Sequence, residues 1–254
     1  MAQWLREDLA KTSLKKTDWL VAFWHHPPYT KGSHDSDKEK QLIEMRQHIM
    51  PILESSGVDL VLTGHSHIYE RSMLIDGAYD TPTTAENHVF DDGDGHVKGD
   101  GAYRKSPGLK PNQGTIQVVT GHGGTGLTRR GYSPVMKRSI LQNGSTLVHI
   151  SGNTLNATML NFKGEVVDEF QINKSQPVTP QRIAQPWKPG RPAQAQYIIP
   201  KNARWHYLAG SFPPDNWTAP DFDASSWKFG KAGFGYGDGD DTTVLDMRNH
   251  YTSI

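Results

Sequence analysis

Two short apolar runs, each followed directly by histidines, are the clearest feature of the hydrophobic pattern. The runs cover residues 19–24 and 58–63, and the histidines after them are His25, His26, His65 and His67. Both runs are too short for a core helix and are rich in Val, Leu and aromatic residues, which predicts two buried strands. Side chains just past such strands lie at the sheet edge where α/β proteins bind ligands.

The segments around these strands have apolar positions at helical spacing. This spacing predicts a helix over residues 3–12 and another over residues 37–55, which Gly57 ends. Pro51 is expected to kink or split the second helix. The order helix, strand, helix, strand favours an α/β sheet layer.

The amino-acid composition of the chain changes after Arg71. Residues 76–114 are rich in Gly, Asp, Thr and Pro, and they read as a long loop with room for a hairpin. Strand patterns return at residues 115–120, 145–150, 156–161 and 166–172. Alternation and the turn residues between them predict that the last two form a β-hairpin.

The carboxy-terminal third contains two segments of different composition. The first, residues 173–196, has the Pro-rich composition of a linker. In the second, residues 197–254, aromatic residues are interspersed with Gly, Asp and Pro. The second segment is expected to be part of an all-β module. We therefore predict domains at 1–172 and 197–254, joined by the linker.

Composition excludes several classes of protein. The 254 residues carry 27 basic and 27 acidic side chains, so the basic excess of a nucleic-acid-binding protein is absent. The sequence has no cysteine, which excludes disulfides and thiolate metal sites. No apolar run approaches the roughly 18 residues of a membrane span.

The histidines suit a transition-metal site. Neutral imidazole is the commonest protein ligand for such metals, and parallel pairing of the two strands would bring His25 close to His65 and His67. We interpret these three as metal ligands, whereas His26 reads more naturally as an ordinary loop histidine. Four aspartates of the long loop could bind Ca²⁺, although a solvated acidic loop is the better interpretation: Asp91, Asp92, Asp94 and Asp100.

The residues around these histidines resemble a known family. Residues 19–29 (WLVAFWHHPPY) and 64–72 (GHSHIYERS) closely resemble the last two motifs of the purple acid phosphatase branch of the calcineurin-like metallophosphoesterases. The resemblance covers residues 3 to about 172. It implies an α/β (α+β) fold, a four-layer αββα sandwich, of which this chain would supply the carboxy-terminal half.

The resemblance also implies roles for individual residues. His25 and His65 would share one metal ion and His67 would hold its neighbour, the pair being iron with zinc, manganese or a second iron. His34, or less favourably His26, would donate to the substrate phosphate or to the leaving group. The implied reaction is hydrolysis of phosphate esters, as in an acid phosphatase, with a metal-bound hydroxide as nucleophile.

This sequence lacks several motifs of the family that it resembles. Its earlier Gly-Asp and Gly-Asn-His motifs, which supply a bridging aspartate, a tyrosine and an asparagine, do not occur in the expected place. Gly99–Tyr103 matches one of them only superficially, because it follows the histidine motifs. We therefore expect the chain to be a fragment that is inactive by itself.

Other interpretations stay open. The chain could be a catalytically silent carbohydrate- or surface-binding protein with a remnant phosphatase fold, or a phosphodiesterase or nucleotidase. Residues 205–240 resemble the opening of galactose-binding-like β-sandwich modules, whose tryptophans could stack on sugars or simply form a core. The resemblances imply a secreted or periplasmic parent.

Overall fold

The helices lie in the first quarter of the chain. The computed structural model describes residues 2–13, 17–124 and 126–183, and shorter stretches between residues 203 and 245. The helical elements are α1 (Ala2–Ser13), α2 (Lys40–Glu44), a π-helix (Met45–Ile49) and α3 (Met50–Ser55). In the part of the chain that is described, no helix is long and apolar enough to cross a membrane.

Fifteen strands follow one another along the described residues. Those of the first unit are β1 (Val21–Trp24), β2 (Leu60–Thr63), β3 (Tyr69–Ser72), β4 (Leu74–Ile75), β5 (Val89–Asp91), β6 (Tyr103–Arg104), β7 (Ile116–Thr120), β8 (Met136–Ile140), β9 (Gly144–Ser151), β10 (Thr154–Asn161) and β11 (Val166–Asn173). Those of the second unit are β12 (Arg204–Tyr207), β13 (Lys228–Lys231), β14 (Phe234–Gly235) and β15 (Thr243–Val244).

Two sheets form the body of the first unit. The five-stranded sheet has the order β1-β2-β7-β3-β8, and its first three strands run parallel. The four-stranded sheet has the order β6-β11-β10-β9. Along β10 the residues alternate between half-buried and buried, as expected for a strand with one face on a core.

The main core lies between the two sheets. Leu60, Ile116 and Val118 of one sheet pack with Met159 and Phe170 of the other. A second cluster packs the helices on the opposite face of the five-stranded sheet, through Leu9, Ile49, Met50, Ile52, Leu53, Val58 and Val61. The described residues thus build a helix layer and two sheet layers, which is a mixed α/β fold as predicted.

Most predicted elements are present with shifted ends. The predicted hairpin is the pair β10 and β11. Two strands that the sequence did not predict, β3 and β8, complete the five-stranded sheet. In the long loop, β5 pairs with β4 and β6 pairs with β11, so the two strands of the loop do not pair with one another.

The predicted second helix is divided close to Pro51, as the prediction of a kink or split allows. Pro51 lies in the first turn of α3, directly after the π-helix at Met45–Ile49. The buried Arg46 of this π-helix bonds to chain segments outside the helix.

Residues 173–183, which the composition predicts to be linker, are bonded to the first unit. Asn173 still belongs to β11, and the Nζ atom of the buried Lys174 lies 3.0 Å from Asp59 Oδ2. Ile183 N donates to Val89 O. The chain divides into units 1–195 and 196–254, and residues 184–202 of the predicted linker and module lie outside the described residues.

The second unit contains short strands, as predicted for this part of the sequence. β12 pairs antiparallel with β13, and β14 pairs parallel with β15. Phe222 and Trp227 pack with ring centroids 5.3 Å apart, whereas Trp205 and Trp217 are about half exposed. The proposed galactose-binding-like character of this unit stays a prediction.

Candidate metal centre

The parallel pairing of β1 and β2 brings the two histidine motifs together. Trp24 and Thr63, the last residues of the two strands, are register partners. Directly beyond them Gly64 N donates to His25 O at 3.0 Å. The side chains continue this pairing, since His25 Nε2 lies 3.0 Å from His65 Nδ1.

His65 is at the centre of a cluster of imidazoles. Its ring stacks on His34 with centroids 3.8 Å apart, and the ring of His26 is 4.6 Å away. His65 has a φ of 61°, a left-handed conformation that is uncommon for a residue other than glycine. Such backbone strain is concentrated at functional sites, where the surrounding structure holds it in place.

One carboxylate that sequence reasoning missed reaches this cluster. Glu39 Oε2 lies 2.8 Å from His34 Nδ1, and Glu39 Oε1 accepts a hydrogen bond from Asp35 N at 2.9 Å. Burial alone would raise the pKa of Glu39, but these hydrogen bonds hold it below its usual range. The available signal was weak: an acidic residue at the predicted helix start, five positions after His34.

The buried Glu70 ties together the two loops that carry the histidines. Its Oε2 accepts a hydrogen bond from Thr30 Oγ1 at 2.6 Å, and its carboxylate also accepts from Lys31 N. Thr30 Oγ1 lies 2.7 Å from Ser66 Oγ, the residue between His65 and His67. Burial raises the pKa of Glu70 to about 7.

His67 is held through its backbone. Its N–H donates to Ser33 Oγ at 2.9 Å, and its carbonyl accepts from Thr128 N at 3.1 Å. These bonds join the motif to the loop of His34 and to Thr128. The ring contacts bring His25, His26, His34 and His65 together. The role of His67 as a ligand stays a prediction.

Crowding of the imidazoles disfavours their protonation. Burial, followed by the charges of His34, His26 and His25, lowers the pKa of His65 to about 4. Burial and the neighbouring His25 and His34 also lower the pKa of His26. His65 is therefore neutral at ordinary pH, which is the form that binds metal ions.

Glu70 and Arg71, adjacent residues of the second motif, do not pair with each other. Arg71 points to the other sheet, where its Nε donates to Asp168 Oδ2 at 2.6 Å. Glu70 faces the histidine loops. Each of the two side chains is fully buried and bonded, which indicates a structural role.

Two further features of the sequence do not add to the cluster. His122, in the Gly-rich sequence of residues 121–126, is buried and packs edge-on against Tyr69, and burial lowers its pKa to about 4. In the acidic loop, Asp100 accepts a hydrogen bond from Asp94 N, and Asp91 accepts one from Gly93 N. Within the described residues, one group of three possible ligand side chains has its ligand atoms within 4.8 Å of one another: His34, Glu39 and His65.

Paired sheets with a histidine cluster beyond two parallel strands are consistent with a metallophosphoesterase, and comparison with known proteins supports this class. Residues 2–69 match the family model described as calcineurin-like phosphoesterase. The predicted resemblance to this family and to its purple acid phosphatase branch is confirmed by these matches.

Two of the matched relatives are plant purple acid phosphatases. The chain is 31% identical over 122 residues to purple acid phosphatase 18 of Arabidopsis thaliana, covering 47% of this chain and 26% of the relative. It is 42% identical over 71 residues to purple acid phosphatase 15 of the same plant, covering 28% of this chain and 13% of the relative. The chain therefore spans about a quarter or less of the length of these relatives.

A solved structure has the same fold. Purple acid phosphatase PPD1 from yellow lupin (Lupinus luteus) seeds superposes with a TM-score of 0.52 at 19% sequence identity. The match covers 68% of this chain and 28% of that chain.

Proposed function

We propose that this chain is part of a metal-dependent hydrolase of phosphate esters that resembles the acid phosphatases. The main support is the convergence of His25 and His65 beyond two paired parallel strands. Both residues lie within the segment that matches the calcineurin-like phosphoesterase family. The activity of the relatives is acid phosphatase activity, and we extend it to this chain by similarity.

The geometry of the two imidazoles fits a shared metal ion. Two ring nitrogens bound to one ion at about 2.1 Å lie roughly 3.0 Å apart in octahedral and 3.4 Å apart in tetrahedral coordination. The two nitrogens of His25 and His65 are separated by 3.0 Å. His67 would hold a second ion, as the family resemblance implies, and the pair would be iron with zinc, manganese or iron.

The other histidines of the cluster suit the substrate phosphate. His34 is half-buried and stacks on His65, so a phosphate held beside His65 would be within reach of its ring. We assign His34 to donating a proton to a phosphate oxygen or to the leaving group, with His26 as the less favoured candidate. When bound, a pair of metal ions would supply Lewis acidity and lower the pKa of bound water.

Substitution of single histidines tests this function. The chain, and the same chain extended by whatever coding sequence precedes it in its gene, would be loaded with Fe, Zn or Mn and assayed with p-nitrophenyl phosphate. We expect His65→Ala and His34→Ala to abolish hydrolysis, and His48→Ala, an exposed histidine of the π-helix, to leave it unchanged. Equal rates for all variants would contradict the proposal, as would loaded wild-type protein without turnover in both forms.

A diester substrate distinguishes the related activities. Faster hydrolysis of bis(p-nitrophenyl) phosphate than of the monoester would replace the phosphomonoesterase assignment with a phosphodiesterase. The secreted or periplasmic location and carbohydrate binding by the second unit stay predictions.

A further inference from the structure

The loop that carries His34 is closed at its base by two buried residues. Thr30 N donates to Ser36 Oγ at 3.0 Å, and Ser36 N donates to Thr30 O at 3.2 Å. Both residues are fully buried, whereas His34, between them in the sequence, is half-buried and reaches the imidazole cluster. Compact loops whose ends lie close together are frequently functional. The position of His34 therefore depends on what fixes the base of its loop.

A buried arginine of the helix layer, Arg46, bonds to both ends of this loop. Its Nη1 donates to Pro28 O at 3.0 Å and to Ser36 O at 2.7 Å. The Arg46 side chain is fully buried. One guanidinium nitrogen thus holds a backbone carbonyl on each side of His34.

The second terminal nitrogen of Arg46 bonds outside the loop. Nη2 donates to Thr81 Oγ1 at 2.6 Å and lies 3.4 Å from Asp37 Oδ1. Asp37 Oδ1 in turn accepts a hydrogen bond from Thr83 N at 2.8 Å. Arg46 therefore connects the base of the loop to residues 81–83.

The chemistry of the guanidinium group suits this connection. Arginine presents five N–H donors in a rigid fork, whereas the ammonium group of lysine is a point charge on a flexible stem. The fork bonds to the loop through Nη1 and to Thr81 through Nη2 at the same time. Arg46 also lies in the π-helix Met45–Ile49, and π-helical turns occur frequently at functional sites.

We propose that Arg46 is a positioning residue, which keeps His34 stacked on His65 by fixing the base of the loop. The effect on catalysis rests on the proposed function, in which His34 donates to the phosphate or to the leaving group. A misplacement of about 1 Å can lower the rate of an enzyme roughly 100-fold. The bonds described for Arg46 go to the loop and to residues 37 and 81, so its loss should change turnover more than metal binding.

Hydrogen exchange of the whole chain, measured by mass spectrometry, tests the fastening of the loop without hydrolysis. We expect Arg46→Lys to raise the exchange rates of the Thr30 and Ser36 amides at least about tenfold, because the base of the loop opens more often. The amides of β10 should exchange as in the wild type. Arg6→Lys, at an exposed position of α1, is the matched control and should leave all of these rates unchanged. Wild-type exchange at Thr30 and Ser36 in Arg46→Lys would overturn the proposal.

Steady-state kinetics with p-nitrophenyl phosphate test the effect on His34. We expect Arg46→Lys to lower kcat roughly ten- to hundredfold and to change KM less than about threefold. The metal content per chain, measured by elemental analysis, should equal that of the wild type. A wild-type kcat would overturn the proposal, as would a kcat that falls only in step with metal content. A wild type without turnover would overturn the proposed function and the catalytic part of this inference, whereas the exchange rates would still decide whether Arg46 fixes the loop.

A second variant serves if circular dichroism shows that Arg46→Lys does not fold. Thr81→Ala removes only the partner of Nη2, at an exposed residue. We expect faster exchange at Ser36 and a lower kcat, both by smaller factors than for Arg46→Lys. Wild-type exchange and kcat in Thr81→Ala would then overturn the proposal.

Discussion

At the scale of single residues, the histidine cluster depends on a buried carboxylate that does not belong to it. Glu70 is fully buried and accepts hydrogen bonds from the side chain of Thr30 and the backbone of Lys31. Through Thr30 the same network reaches Ser66, between the two histidines of the second motif. One side chain thus holds the loop of His34 against the loop of His65.

We expect Glu70→Ala to reduce the free energy of unfolding by about 1–3 kcal/mol. The substitution leaves the Thr30 hydroxyl and the Lys31 N–H without their buried acceptor, and an unsatisfied buried group has about that cost. Urea unfolding would measure the loss, with the exposed Glu86→Ala as control. An unchanged unfolding midpoint for Glu70→Ala would contradict the role assigned to Glu70.

A second buried carboxyl makes stability depend on pH. Burial, and then the charge of Asp76, raises the pKa of Glu54 from 4.5 to about 8. The folded chain therefore binds this proton more tightly than the unfolded chain does. The resulting stabilisation is complete below pH 4.5 and is lost as the pH rises towards 8.

Glu54→Gln should remove this part of the pH dependence. The free energy of unfolding of the variant, measured by urea from pH 5 to 8, is expected to fall less with rising pH than that of the wild type. Glu44→Gln on the exposed side of α2 should retain the wild-type slope. Parallel curves for Glu54→Gln and the wild type would show that Glu54 has an ordinary pKa.

At the scale of elements, a buried ion pair joins the two sheets. Arg71 of β3 donates to both carboxylate oxygens of Asp168 on β11, at 2.6 and 2.9 Å. Tyr69, also of β3, donates to Asp168 at 2.9 Å. These bonds explain how β3, with the polar sequence Tyr-Glu-Arg-Ser, can be buried along its whole length.

Removing one partner of this pair should be costly. We expect Asp168→Ala to lower the free energy of unfolding by about 3–5 kcal/mol, because Arg71 would keep a buried charge without compensation. Glu169→Ala, the next residue of the same strand and more exposed, is the matched control. A similar small change in both variants, measured by thermal or urea unfolding, would contradict a stabilising link between the sheets.

At the scale of the whole molecule, the first unit extends past its last long strand. Beyond β11, Lys174 pairs with the buried Asp59, which also pairs with Lys105 at 2.7 Å. Further along, Ser106 and Val178 exchange two hydrogen bonds, and Arg182 donates to Asp76 O. The segment therefore adds a buried ion pair and several hydrogen bonds to the unit.

Two truncations test the contribution of this segment. A chain ending at Ile172 should melt at a lower temperature than one ending at Ala195, because it lacks Lys174 and the bonds that follow. Lys174→Met in the longer chain should reproduce part of the loss. Equal melting temperatures for the two truncated chains would show that residues after 172 are only a linker.

The sequence by itself determined the elements whose signal is local. Alternation specified β10 and β11 and the hairpin between them, and the apolar runs specified β1 and β2. The motifs around His25 and His65 also predicted the resemblance to the calcineurin-like phosphoesterases, because residue type and spacing carry that information. The positions of the element ends shifted by one to three residues, since hydrogen bonding to neighbouring strands decides them.

Only the tertiary structure decided the features that depend on distant partners. The burial of β3 requires Asp168, about a hundred residues later, and the packing of residues 173–183 requires Asp59. Glu39 joins the histidine cluster because the loop of His34 folds back onto the end of β2. Polar groups can be buried only where a partner meets them, and no local pattern of residues records a partner that lies far away in the chain.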